Sequence, residues 1–263
     1  MNADSYFSIG KTHRVCEDYA RAGLTNDGKA FAIVSDGCSS SPDTDFGSRF
    51  LTLATLPYLQ NTFDPYWTGE AARFLTPHSL NPLCLDATLL VAIEREKGIQ
   101  INVCGDGVIR ALTKDGSWVQ WDIDYNGAPG YLSYLGDEAR WENFVRLGWN
   151  KRVIHKSTPY ENFKTEQVDL TKADLCWKLF LPSAEFTSVF LFSDGVHSFS
   201  QESGLSTQPI EMTAVVDHLT AIKNTRGEFL RRRCLAFERR YCVTNKWHHN
   251  DDLGVAAIHM EES

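Results

Sequence analysis

Three observations predict an α+β fold. Short apolar or alternating segments outnumber helical ones, most are separated by Gly-containing turns of the hairpin type, and the helical patterns fall in blocks rather than between every pair of strands. A doubly wound parallel sheet would need a helix in each crossover, so the pattern argues for antiparallel sheets with segregated helices.

Taken in order, residues 30–36 (AFAIVSD) form an apolar run ending in Asp-Gly, the mark of a buried strand entering a turn. Over 44–60, Phe46, Phe50, Leu53, Ala54 and Leu56 recur near helical spacing, so a helix with this apolar face is expected there, fraying at Pro57. A second, short helix is expected at 66–75. Residues 86–123 read as a four-segment meander, broken at Lys97-Gly98, at Gly105–Gly107 and at Asp115-Gly116. Residues 124–163 are rich in Gly, Asn, Tyr and Trp with little periodicity, and a loop of that length suggests a flap over a binding site. The apolar segment TSVFLFSD (187–194) again ends in Asp-Gly. Helices are expected at 209–223 and 226–242, and a last strand at 253–260. The whole, 1–263, reads as one domain.

Composition narrows the function. Of 263 residues, 43% are hydrophobic and 23% charged, enough for a full core without staples. A net charge of −8 disfavours general nucleic-acid binding, which needs a basic face. No run approaches the ~18 apolar residues of a membrane span. The seven cysteines are odd in number and lack C-x-x-C spacing, so neither a disulfide framework nor a Cys-rich zinc site is expected, and a reducing cytoplasm fits.

The chemistry resides in acids at strand ends. Asp36 and Asp194 each leave an apolar strand just before a glycine. Asp251-Asp252 stands directly before the last strand, Asp106 lies between two glycines, and Glu17-Asp18 lies near the N-terminus. Any one of these alone is more often a plain turn. Converging, they could not all stay ionised without a cation, and oxygen ligands with few His or Cys suit Mg²⁺, Mn²⁺ or Ca²⁺ better than zinc. An open site of this kind suits phosphoryl hydrolysis.

Six segments in this order, SIGKTHRVCEDYA (8–20), VSDGCSSSPDTDFGSRF (34–50), DATLLVAI (86–93), VCGDGVIRAL (103–112), FLFSDGVHSFS (190–200) and NDDLGVAAI (250–258), resemble the motifs of the metal-dependent protein phosphatases of type 2C, in particular their compact bacterial branch. The resemblance implies two packed antiparallel sheets flanked by helices, with two or three Mn²⁺ or Mg²⁺ ions in a cleft at one end. It implies that Asp36 bridges two ions, that the Gly37 carbonyl binds the first, and that Asp194 and Asp251 complete the second. Asp106 would hold a third ion together with Asp194, and Glu17 and Asp18 would position metal-bound waters. Asp251 is preferred to Asp252 because the family's ligand stands four residues before the first Val of the last strand, here Val255.

The implied reaction is hydrolysis of phosphoserine and phosphothreonine by a metal-bridging water. The implied partners are phosphorylated proteins and a cognate Ser/Thr kinase, and the implied state is a monomer. The family's phosphate-binding Arg stands four residues before the Glu, where this chain has His13, with Arg14 beside it; either is a candidate clamp. Cys38 stands where some members carry a His proposed as general acid, and Ser39-Ser40 replaces a Gly-Gly pair. These departures keep open an alternative, a pseudophosphatase serving as a phosphoprotein-binding module.

Three further features have bland readings, and a fourth is open. His248 and His249 read as a solvated turn, and the arginines at 231–233 and 239–240 as a solvated helix face paired with Glu228 and Glu238. The aromatic residues of 131–149 read as local packing. His197 divides evenly between a structural role and substrate contact.

Overall fold

The computed structural model describes residues 1–59, 80–161, 164–203 and 206–260. The helix expected at 66–75 lies outside them. A seven-stranded sheet contains β1 (Asn2–Ser8), β6 (Gly107–Thr113), β7 (Trp118–Tyr125), β8 (Lys151–Ser157), β9 (Lys164–Asp169), β11 (Phe186–Phe192) and β15 (Leu253–His259), in the order β1-β15-β11-β6-β7-β8-β9. A five-stranded sheet contains β2 (Tyr19–Leu24), β3 (Ala30–Ser35), β4 (Leu89–Arg95), β5 (Gly98–Cys104) and β10 (Cys176–Pro182), in the order β10-β5-β4-β3-β2. A small third sheet joins β12 (Phe199–Ser203), β13 (Ser206–Pro209) and β14 (Trp247–His249). All these pairings are antiparallel.

Side-chain alternation along the central strands builds two cores at once. On β11, Val189 and Leu191 face the five-stranded sheet, while Phe190 and Phe192 join the core beneath the helices. On β15, Ala256 and Ile258 point inward, and Val255 and Ala257 point to the helices. Both faces being covered, these strands read as unbroken apolar runs. The outer core is closed by α3 (Met212–Thr220) and by α4 (Phe229–Ala236), which continues as a π-helix over Phe237–Cys242. On the other side, α1 (Thr44–Thr55) lies against β2 and β3. Two packed antiparallel sheets flanked by helices are thus what the sequence predicts.

Several local expectations are corrected. α1 fully buries Gly47, Ser48, Leu51 and Thr55; of the expected face, Phe50, Ala54 and Leu56 pack partly buried against the core, while Phe46 and Leu53 are exposed. The cause is close packing: a Cβ on Gly47 would lie 1.5 Å from the Cys84 carbonyl oxygen, so the contact face must be small. The chain stays helical only to Thr55 and tightens into a 3₁₀ turn at Leu56–Tyr58, over Pro57. In the meander, the turns at Lys97-Gly98 and Asp115-Gly116 are hairpins, but Gly105–Gly107 is a crossover from one sheet to the other. Gly105 and Gly107 have φ of 100° and 136°, which L side chains rarely adopt, and Asp106 sits on the corner between them. Within 124–163, residues read as loop form α2 (Glu138–Arg146) and β8, which is an interior strand of the large sheet. The excursion from the sheet is therefore confined to the segment between β7 and β8.

One disulfide was not expected. Cys104 and Cys176 face each other directly across β5 and β10, with Cα atoms 4.5 Å apart. Seventy-two residues separate them in sequence, so only strand register could reveal the pair. The other five cysteines are free.

Candidate active site

One end of the sandwich collects the acids. Asp36 follows β3, Asp194 follows β11, Asp251-Asp252 precedes β15, Asp106 caps the β5–β6 crossover, and Glu17-Asp18 precedes β2. Their carboxyls interact: Asp36 with Asp18, Asp194 and Asp106; Asp194 also with Asp106 and Asp251. Burial, then the neighbouring charges, raises Asp36 and Asp106 well above the usual carboxylate range. Asp251 is raised by burial and by Asp194. Asp18 is buried, and its carboxyl is pushed up to about 8, chiefly by that burial.

Close backbone contacts hold the acids in place. The glycines after Asp36 and Asp194 are there for proximity, not for a left-handed turn. A Cβ on Gly37 would lie 2.7 Å from the Thr44 carbonyl oxygen, and one on Gly195 would lie 1.6 Å from that of Asp252. The Gly37 amide donates to the Glu17 carbonyl (3.2 Å), while residues 36–38 pair with 86–88 through Thr88 N to Asp36 O and Cys38 N to Asp86 O, both 2.8 Å. The Gly37 carbonyl accepts no hydrogen bond among the described residues. Ser39 and Ser40 do not have positive φ, so the loop forms without the family's Gly-Gly pair.

Asp251 and Asp252 have different surroundings. Asp252 is buried, and its carboxylate accepts from the Gly10 amide (2.7 Å) and the Glu17 amide (2.5 Å), stapling the N-terminal loop to β15. The half-exposed Asp251 is the member that reaches Asp194. His13 lies between them, with Nδ1 3.0 Å from Asp252 and Nε2 3.3 Å from Asp251, and Glu17 at 3.8 Å. Burial opposes charge on the ring, but these three acids raise its pKa. His13, Glu17 and Asp252 bring ligand atoms within 4.8 Å of one another, yet Asp252 is already bonded to two amides, so the trio forms a staple. Both ring nitrogens thus face acids, a constraint on the clamp assignment that register alone does not reveal. Arg14 is exposed, with no hydrogen bond or ion pair among the described residues. Glu17 accepts from the Thr44 hydroxyl at 2.8 Å.

The donor set fits divalent cations. Neither carboxylate oxygen of Asp18 makes a hydrogen bond of good geometry among the described residues, although the Ser193 hydroxyl is near, and the strongest charged neighbours of Asp18 and Asp36 are other acids. Buried carboxylates in contact need a positive counterion, and an all-oxygen set suits Mg²⁺ or Mn²⁺. Asp36, Asp106, Asp194, Asp251 and the Gly37 carbonyl could hold such ions, with Glu17 and Asp18 beside them.

Other residues have roles that the sequence did not reveal. His248 and His249 lie on β14, not in a solvated turn, and bond to Ser200 and to the Asp251 carbonyl. Glu238 accepts from Tyr6 and Ser8, so among the described residues Glu228 alone of the two expected acids pairs with an arginine, Arg231 at 3.1 Å. His197 pairs with Asp122 at 3.1 Å; burial opposes its charge, but Asp122 and then Asp194 raise its pKa. Tyr131 is buried in the core, and burial, then Cys38, Asp106 and Asp36, oppose ionisation of its hydroxyl. Burial opposes ionisation of Cys38, but hydrogen bonds from Ser40 and Tyr131 bring its thiol below the usual value. No sequence signal tied Tyr131 or Asp122 to the acids, because they arrive from separate strands and turns.

The sequence profile described as protein phosphatase 2C matches residues 9–229. No curated protein sequence matches the chain. Solved structures of similar fold include a bacterial serine phosphatase, with a TM-score of 0.58, 14% identity and coverage of 100% of this chain and 99% of that one. Serine/threonine phosphatase Stp1 from Staphylococcus aureus has a TM-score of 0.59 at 13% identity, covering 100% and 96%. The S. agalactiae serine/threonine phosphatase has a TM-score of 0.51 at 13% identity, covering 98% and 99%. At these identities the structures speak for the fold alone, while the profile match spans most of the sequence and takes in the acids at 17, 18, 36, 106 and 194; the chain belongs to the protein phosphatase 2C family.

Proposed function

We propose that this chain is a Mg²⁺- or Mn²⁺-dependent serine/threonine protein phosphatase, with phosphorylated proteins as substrates and a Ser/Thr kinase as the enzyme that supplies them. The observation that carries the reading is the group of five interacting carboxyls, Asp18, Asp36, Asp106, Asp194 and Asp251, with unpartnered oxygens on the most buried of them. Two or three divalent ions bound there supply charge to offset the phosphate and to activate water. Asp36, Asp194, Asp251, Asp106 and the Gly37 carbonyl hold the ions; Glu17 and Asp18 orient water; His13 or Arg14 meets the phosphate oxygens. Hydrolysis of a phosphothreonine peptide with Mn²⁺, and its loss in EDTA, is the direct test.

A second reading, a phosphoprotein-binding module without turnover, rests on one observation: the ring of His13 is already paired with acids on both nitrogens. Peptide binding with no Mn²⁺-dependent hydrolysis would favour it. None of the described helices is long and apolar enough to cross a membrane. We place the protein as a monomer in the reducing cytoplasm, where Cys104 and Cys176 would stand as two thiols.

Two pairs of variants divide the roles. Asp251→Asn is expected to lower kcat by about a hundredfold or more with the fold intact, since it removes a metal-binding charge. Asp252→Asn should instead lower Tm, losing charge-assisted hydrogen bonds worth about 1.5–3 kcal/mol each. Thermal melts beside steady-state kinetics check this, and equal kinetic losses would put the ligand assignment out of register.

His13→Ala is expected to weaken Mn²⁺ binding about 10- to 100-fold, because the ring orients Asp251. Arg14→Ala should leave Mn²⁺ affinity alone and raise KM about tenfold, through lost hydrogen bonds to a charged group. Calorimetry with Mn²⁺ and peptide kinetics separate the two, and a silent Arg14→Ala with a KM defect in His13→Ala would make His13 the clamp.

A further inference from the structure

The carboxylate of Asp86 lies outside the acid cluster and has no assigned role. It is buried, on the strand-like segment that pairs with the Asp36–Cys38 turn. Its backbone carbonyl accepts from the Cys38 amide at 2.8 Å. Its Oδ2 accepts from the Ser41 hydroxyl at 2.8 Å, on the same loop as Asp36. The remaining capacity goes to the excursion between β7 and β8: Oδ1 accepts from Ser133 Oγ at 2.6 Å, and Arg140 Nη2 donates to Oδ2 at 2.8 Å. Arg140 also donates to Ser133 Oγ at 3.3 Å and covers the ring of Tyr134, 4.7 Å from its centroid. Asp86 therefore touches both the ligand loop and the arm made of the 3₁₀ turn Leu132–Gly136 and α2.

The arm's position bears on the site because Asp86 joins it to Ser41, on the loop that carries Asp36 and Gly37; Tyr131, just before that 3₁₀ turn, also interacts electrostatically with Cys38, Asp36 and Asp106. The backbone pairing of 36–38 with 86–88 does not need the Asp86 side chain, so the metal-binding groups keep their support if the ion pair is lost. The arm's apolar residues Leu132 and Phe144 are buried in the core, while its polar contacts to the ligand-loop side, through Ser133 and Arg140, both end on that one carboxylate. A largely buried ion pair is a weak source of net stability and a better source of a single fixed arrangement.

We propose that the Asp86–Arg140 pair is a latch holding the Tyr131–Arg146 arm against the Asp36–Ser41 loop, and that Arg140 thereby sets how tightly a phosphorylated polypeptide binds. Arg140 and Asp86 are positioning residues: they act through Tyr131 and the arm and take no part in the chemistry. The selectivity half of this proposal rests on the phosphatase reading; the latch itself does not. A small aryl phosphate fills only the neighbourhood of the ions, whereas a polypeptide extends past it to the wall formed by the arm. A variant whose arm is closed for a tenth of the time shows a KM about tenfold higher for ligands that need the closed arm.

The test uses the full chain with Arg140→Met, which keeps the length and apolar stem, and Arg140→Lys, which keeps the charge. In Arg140→Met, KM for a phosphothreonine peptide should rise about tenfold, while kcat for the peptide and kcat/KM for p-nitrophenyl phosphate stay within about threefold. Arg140→Lys should recover much of the peptide KM, and hydrogen exchange in Arg140→Met should speed up over 131–146 and not in β3 or β11. A proportional fall in kcat for both substrates, with peptide KM unchanged, would show a general structural role and overturn the selectivity claim. Unaltered exchange over 131–146 in Arg140→Met would overturn the latch, whatever the activity. A wild-type protein that hydrolyses neither substrate with Mn²⁺ would overturn the phosphatase reading and the selectivity claim together, and the exchange experiment would still decide the latch.

Discussion

Asp36→Asn is expected to reduce Mn²⁺-dependent phosphatase activity at least about a thousandfold, because it removes the charge at the centre of the acid group. EDTA should do the same to the wild type, with recovery on excess Mn²⁺ or Mg²⁺. The reason is electrostatic: the carboxyl of Asp36 interacts with the charges of Asp18, Asp194 and Asp106, so its charge contributes most where two ions must be held together. The same interaction predicts an opposite effect on the metal-free fold. Removing one of several mutually repelling carboxylates should raise the Tm of the EDTA-treated protein at pH 8 while abolishing turnover. Full activity in Asp36→Asn, or in EDTA, would end the mechanism proposed here.

Metal-free protein is expected to lose stability as pH rises from 5 to 8. Asp18 is pushed up to about 8 in the fold, and Asp36, Asp106 and Asp251 are also raised. A carboxyl with a raised folded-state pKa keeps its proton in the native state after the unfolded chain has released it. The native state therefore binds more protons over that interval, and unfolding free energy falls with increasing pH. Each such group contributes about 1.4 kcal/mol per pH unit over the window between its unfolded and folded pKa values. Mn²⁺ should reverse the loss, with a larger rise in Tm at pH 8 than at pH 5, since the ligands must be deprotonated to bind. Melts in EDTA that are flat or that rise between pH 5 and 8 would contradict the buried acid cluster.

Much of the site was legible because the acids stand beside local signals. Asp36 and Asp194 end apolar runs, and Asp251 precedes one, so strand placement alone put them at sheet ends. The preference for Asp251 over Asp252 came from family register, and the staple formed by Asp252 gives it a physical basis that no count of residues contains. The burial of Asp18, the most buried member of the group, is not legible in the sequence. That burial depends on how the β1–β2 loop tucks under β15, where Asp18 lies 3.1 Å from the Cβ position of Gly254.

By itself the sequence determined the strands of the two sheets' interior, since unbroken apolar runs such as 30–34 and 189–192 are buried on both faces whatever their partners. It also determined the family and the identity of the clustered acids, because their flanking motifs are local in the chain. Tertiary structure alone decided the inward face of α1, the sheet change at Asp106, the Cys104–Cys176 pair and the link from Asp86 to Arg140. Each of these joins residues distant in sequence through strand register or close backbone packing. Side-chain period reports which face of a segment is apolar, and it carries no information about which other segment lies against that face.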